Sequence, residues 1–144
     1  MKVSMKGDYG VRALVELAHH YGEGPMQSAA IAGRQSIPEP YLDQLLTSLR
    51  RAGFIRSVRG PQGGHALIRD PRELKLSEVI IALEGSLAPI ACLDDPNGCR
   101  TTAACSLKPV WQEVEAATTR VLESITIAEI AERERAGNVA RYAI

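Results

Sequence analysis

The stretch PYLDQLLTSLRRAGFIRSVRGPQGGHALI, Pro40 to Ile68, decides the fold, because a helix, a turn and a β-hairpin follow one another in it without a break. Leu42, Leu45, Leu46 and Leu49 recur at helical spacing and bury one face of a helix that has Pro38 and Glu39 in its first turn and Gly53 as its C-terminal cap. Phe54-Ile55-Arg56-Ser57-Val58 then reads as a strand, Arg59-Gly60-Pro61-Gln62-Gly63-Gly64 as a glycine-rich tip, and His65-Ala66-Leu67-Ile68 as the returning strand. The tip is not a nucleotide-binding P-loop, since no Gly-Lys-Ser/Thr follows it and the next element is a strand rather than a helix.

Working upstream, Val11, Leu14, Val15 and Ala18 give one buried face of a first helix that begins between Ser4 and Asp8 and stops at Gly22-Glu23-Gly24-Pro25. Ser28 is the expected N-cap of a short helix bearing Ile31, and Gly33-Arg34-Gln35-Ser36 turns the chain into the leucine-faced helix. Helix, tight turn, helix and hairpin wing form a DNA-reading arrangement, in which the second helix enters the major groove. The alternative is a helical hairpin that merely packs. On the DNA reading the exposed positions of that helix are Glu39, Pro40, Tyr41, Asp43, Gln44 and Thr47, with Arg51 at its end, Ser28 on the preceding helix, and Arg59 and Gln62 on the wing tip. Gln44 pairs with adenine through its amide, while Asp43 accepts from cytosine and repels phosphate. Arg59 suits a narrow minor groove.

Downstream, Leu76, Val79, Ile80 and Leu83 mark another amphipathic helix closed by Gly85, after which regular structure is interrupted as far as about Lys108. Pro109 starts the longest helix, whose apolar residues form two stripes, Val110, Val114, Ala117 and Val121 on one and Trp111, Leu122 and Ile125 on the other. Such a breadth predicts packing on two neighbours. Thr126-Ile127-Ala128-Glu129 reads as a capping box that opens a short helix, and a loose tail is expected after Arg135. The organisation is a mainly α winged helix-turn-helix unit over residues 1–85, a cysteine segment over 86–108, and a dimerisation helix, short helix and tail over 109–144.

Composition supports an aliphatic, mostly helical protein: 144 residues, 45% hydrophobic, with six aromatics. The net charge of zero hides a division, because residues 1–75 carry 11 Lys and Arg against 7 Asp and Glu, and residues 76–144 carry 6 against 10. Arg50, Arg51, Arg56, Arg59 and Arg69 crowd into the basic half, a footprint suited to a phosphate backbone, with scattered solvated arginines as the plainer reading. The N-terminus has no apolar h-region, and the longest aliphatic run, Val79 to Leu83, is too short for a bilayer, so a cytoplasmic protein with no membrane partner is expected.

Cys92, Cys99 and Cys105 are the only cysteines and fall within a turn-forming, mostly polar segment. Their odd number and the missing secretory segment disfavour a disulfide framework. Zinc would want a fourth ligand and usually a CxxC pair, and neither that pair nor a histidine lies between Cys92 and Lys108. An iron-sulfur cluster suits thiolates on a loop, with one ligand supplied from elsewhere. Unliganded or redox-active thiols are the remaining alternative. No Ser-His-Asp or Cys-His constellation assembles from local motifs, and His65 beside glycines reads as a wing residue, so an enzyme is not expected.

The run SVRGPQGGHAL after PYLDQLLTSLRRAGFI, with three loop cysteines behind it, resembles the Rrf2 family of bacterial regulators over nearly the whole chain, from Met5 to Thr126. The resemblance implies a homodimeric winged-helix repressor or activator on double-stranded DNA with a palindromic operator, the helix from Pro109 forming the dimer contact. It also implies an iron-sulfur cluster on Cys92, Cys99 and Cys105, the four-iron form favoured over the two-iron form, responding to iron, redox state or nitric oxide. Two departures qualify it. One branch of the family has a histidine ligand three residues after the last cysteine, where this chain has Lys108. Another uses an aspartate near the partner subunit's N-terminus, and Asp8 stands at the matching place, where it equally complements the helix macrodipole. The second departure is Ser36, where the family usually has glycine. A cluster-free regulator that answers to a metabolite, a partner protein or thiol oxidation is the rival reading. An iron-sulfur electron carrier or cysteine enzyme is a third, and it leaves the wing and the crowded arginines unexplained.

Overall fold

The computed structural model describes residues 2–95, 97 and 105–142. In chain order it contains α1 (Met5–His19), α2 (Ser28–Gln35), α3 (Glu39–Arg51), β1 (Ile55–Val58), β2 (Gly64–Leu67), α4 (Leu76–Glu84), α5 (Lys108–Glu123) and α6 (Ile127–Tyr142), with 3₁₀ turns at Pro71–Glu73 and Ala91–Leu93. The mainly α winged-helix architecture expected from the sequence is therefore present.

α1 is the hub. A single buried face is expected for it, yet Ala13 to Ala18 are all buried, Glu16 included. The reason is that α2, α3, α4, α6 and β2 all pack on it. Its N-terminus is held twice. Ser4 accepts from the Gly7 N–H at 3.4 Å, and Glu84, at the end of α4, accepts from Ser4 N at 2.9 Å and from Ser4 Oγ at 2.6 Å. The Ser4 hydroxyl, more than the backbone N–H groups or Lys6 nearby, holds the Glu84 carboxyl below its ordinary value.

The helix-turn-helix follows from its caps. The N-cap of α2 is Gln27 rather than Ser28, which lies inside the first turn. The helix ends at Ser36, whose φ of 55° and ψ of 45° are left-handed, and Ile37 N–H closes onto Ala32 C=O at 3.0 Å. Glycine adopts this backbone conformation with less strain than serine does. α3 starts from Pro38 and buries Leu42, Leu45, Leu46 and Leu49 as expected. Gly53, with φ 84°, ends it in a Schellman pair: Phe54 N–H to Leu49 C=O at 3.1 Å and Gly53 N–H to Arg50 C=O at 3.0 Å.

β1 and β2 pair antiparallel in the register Ile55 to Leu67 through Val58 to Gly64. Met26 adds an unforeseen outer rung, exchanging backbone hydrogen bonds of 2.8 and 2.7 Å with His65. The linker between α1 and α2 thereby joins the wing. Gly64 permits the approach, since with φ 146° a Cβ there would strike the Met26 carbonyl.

The C-terminal third departs from expectation. α5 begins at Lys108 and has no buried residue of its own. Instead of a short helix and a loose tail after Arg135, α6 continues to Tyr142. Its start is the expected capping box: Glu129 N–H donates to Thr126 Oγ1 at 3.2 Å, and Thr126 N–H to Glu129 Oε2 at 3.4 Å. Ile127 and Ala131 enter the same core as Leu14 and Leu42. Three polar contacts hold the following turn: Glu134 Oε1 accepts from Gln35 Nε2 at 3.1 Å and lies 3.2 Å from His19 Nε2, and Arg135 reaches the His19 carbonyl at 3.5 Å. Among the described residues no helix is long and apolar enough to cross a membrane.

Candidate nucleic-acid interface and cysteine segment

On α3, Glu39, Pro40, Asp43, Gln44 and Arg51 are exposed, while Tyr41 and Thr47 are half-buried. Tyr41 packs edge-on against Tyr9 of α1, ring centroids 5.6 Å apart, so its ring braces the helix. The Thr47 hydroxyl is turned back to the Asp43 carbonyl at 3.0 Å. Among the described residues, Gln44, Arg51, Arg59 and Gln62 have no side-chain hydrogen bond or ion pair within the chain. Their donors remain available to an outside acceptor. Arg69, counted with the basic group in the sequence, is committed elsewhere: it donates to Glu78 at 2.7 Å and to the Glu73 carbonyl at 2.9 Å.

The wing stands beside α3. His65 on β2 shares a 2.9 Å hydrogen bond with Ser57 of β1 and lies within electrostatic reach of Asp43 and Arg50. Burial lowers its pKa, Arg50 adds to that, and Asp43 opposes it. The exposed tip carries Arg59 and Gln62, closed by Gly63 N–H to Gly60 C=O at 2.9 Å. Ser28 is half-exposed in the first turn of α2, next to Gln27, whose amide donates to the Pro61 carbonyl at 3.3 Å. Neither Gln27 nor Met26 carries a local signal for these contacts, since both depend on a strand pairing 39 residues away in the chain. A second feature hidden from the sequence is buried Gln35, which bridges Glu16 of α1 at 3.3 Å and Glu134 of α6.

Cys92 sits on the 3₁₀ turn Ala91–Leu93 and Cys105 three residues before α5; both are partly exposed. That turn packs against α5, and Cys105 leads directly into the same helix. Leu87 anchors the segment in the core, and Ser86 Oγ donates to Asp94 at 2.7 Å. Cys99 lies outside the described residues. Among the described residues no three His, Cys, Asp or Glu side chains converge as a metal site. Asp8, in the first turn of α1, pairs with Arg12 at 2.8 Å, as a residue complementing the helix N-terminus does. In kind, three thiols suit the all-thiolate ligation of an iron-sulfur cluster, which, like zinc, would need a fourth donor from elsewhere.

The Rrf2 profile, described as an iron-dependent transcriptional regulator, matches residues 3–133. The chain belongs to the Rrf2 family. It is 36% identical over 140 residues to the HTH-type transcriptional regulator IscR of Photorhabdus laumondii, covering 97% of this chain and 85% of that one. It is 35% identical to the regulator CymR of Bacillus subtilis, over 91% of this chain and 90% of the other. Solved relatives agree: T. potens IscR superposes with a TM-score of 0.76 at 42% identity, covering 93% of this chain and 88% of that one. B. subtilis CymR, described as the global cysteine regulator, gives 0.79 at 34% identity, covering 92% and 98%. As an Rrf2 protein the chain is a winged-helix transcriptional regulator and not an enzyme.

Proposed function

We propose that this Rrf2 protein is a homodimer that reads a palindromic operator in double-stranded DNA with α3 and the wing, under control of an iron-sulfur cluster. The observation that carries the DNA reading is the uncommitted set Gln44, Arg51, Arg59 and Gln62 on two adjoining elements. Gln44 reads adenine, Asp43 selects for cytosine, and Arg59 enters the minor groove. Glu39, Pro40, Tyr41 and Thr47 shape the helix surface around them, with Ser28 beside the backbone phosphates. To read such an operator, two copies joined through α5 would need their α3 helices about 34 Å apart, one turn of DNA. The exposed Val110, Val114 and Val121 on α5 supply the apolar contact.

Cys92, Cys99 and Cys105 would hold the cluster, with Asp8 of the partner subunit as the fourth ligand once it leaves Arg12. With a cluster held there, Cys92, Cys99 and Cys105 would keep the segment before α5 in one conformation, and the chain's own residues would then set the angle between each wing unit and the dimer helix. The family description as iron-dependent supports this reading. The CymR likeness favours a second one, in which the same dimer answers to a thiol compound or to thiol oxidation without a cluster.

Binding-site selection with native protein, Gln44→Ala and Arg59→Ala tests the DNA reading. Gln44→Ala should relax preference at one base pair by about 1–3 kcal/mol. Arg59→Ala should weaken all sequences alike and reduce the salt slope by about one. Unaltered selectivity in Gln44→Ala would remove that residue from base readout.

A further inference from the structure

We infer that Gln27 is a positioning residue for DNA binding: a strut from the N-cap of α2 to the wing tip that fixes where Arg59 points. The inference rests on the wing reading given under the proposed function and deepens it. N-caps are usually Ser, Thr, Asp or Asn, whose short side chains bond the first free N–H groups of their own helix. Gln27 occupies the N-cap of α2 and makes no such bond. Its Nε2 donates instead to the carbonyl of Pro61, at 3.3 Å, in the middle of the tip between Arg59 and Gln62.

The neighbouring backbone explains why it can. Met26 forms an isolated antiparallel bridge with His65, and successive residues of extended backbone point to opposite faces. Met26 is accordingly buried while Gln27 is exposed. Gly64 lets the two backbones close up, bringing Gln27 N within the space a Cβ would fill. The tip itself, Arg59 to Gly63, has one internal hydrogen bond, from Gly63 N–H to Gly60 C=O. A glycine-rich turn with a single internal bond samples many directions, and an arginine on it loses that freedom on entering a groove. The Gln27 strut removes part of that freedom beforehand.

Gln27→Met tests this, because it keeps length and removes the donor on an exposed side chain, so the melting temperature should not change. DNA affinity and its salt dependence are measured for native protein, Gln27→Met, Arg59→Ala and the double variant, with amide exchange of the Gly63 N–H in the free protein. The expected result is faster Gly63 exchange and about a fivefold loss of affinity from Gln27→Met that vanishes when Arg59 is already alanine. An equal loss in both backgrounds would mean that Gln27 touches DNA itself, and no loss would mean that the strut does nothing; either overturns the inference alone. Unchanged affinity in Arg59→Ala would overturn the wing reading and the strut with it.

Discussion

Ser36 is the one non-glycine residue with positive φ among those described, and it sits at the turn between α2 and α3. A left-handed L-residue costs roughly 1–2 kcal/mol, part of which glycine returns as unfolded-state entropy. Ser36→Gly should therefore stabilise the fold by about 0.5–1 kcal/mol in urea unfolding, with DNA affinity unchanged. His65 gives a pH dependence. Burial depresses its pKa in the folded wing, so the folded state resists protonation that the unfolded chain accepts below about 6.5. Stability from this group is present above that pH and lost as pH falls through the folded value. Protection of the Met26 and His65 amides should drop between pH 7 and 5.5 after correction for intrinsic exchange, and His65→Gln should flatten the drop. The departure at Ser36 is legible in the sequence because it needs only local backbone preference. The lowered pKa of His65 is not, because the burial that chiefly lowers it exists only once the wing has folded.

α5 presents Val110, Val114 and Val121 at 49%, 41% and 54% exposure, and Leu107 before it at 56%. In the proposed dimer this apolar row would be the contact, and each valine buried there would be worth about 1.5 kcal/mol or more. Val114→Asp should therefore turn a dimer into a monomer in sedimentation analysis without lowering monomer helicity. The same two apolar stripes are visible in the sequence, because a repeat of three and four residues needs no tertiary knowledge. α6 is a different case. Beyond Ala131 its apolar residues stop recurring on one face, which reads as a tail, yet Glu134 and Arg135 dock the helix on His19 and Gln35. Polar docking leaves no periodic signature. Glu134→Ala should cost about 1 kcal/mol or more, since buried Gln35 loses an acceptor, and should fray α6 first in hydrogen exchange.

At the scale of the molecule, the cysteine segment is bracketed by two contacts with the DNA-reading unit. Glu84, the last residue of α4, grips the first turn of α1, and α5 returns through α6 to Gln35 beside the α2–α3 turn. The order of elements and the three cysteines are legible in the sequence; this circuit is not, because each of its bonds joins residues about 80 or more positions apart. If the state of the cysteine segment sets DNA affinity, a hundredfold change corresponds to about 2.7 kcal/mol of coupling. The direct measurement is operator affinity at fixed salt for protein prepared without air, the same protein after iron removal, and Cys99→Ala. Iron and acid-labile sulfide are assayed in each. Cluster control predicts iron and sulfide in the first sample alone and an affinity there that differs at least tenfold from the other two. Equal affinities across the three, or no iron and sulfide in the first, would contradict it.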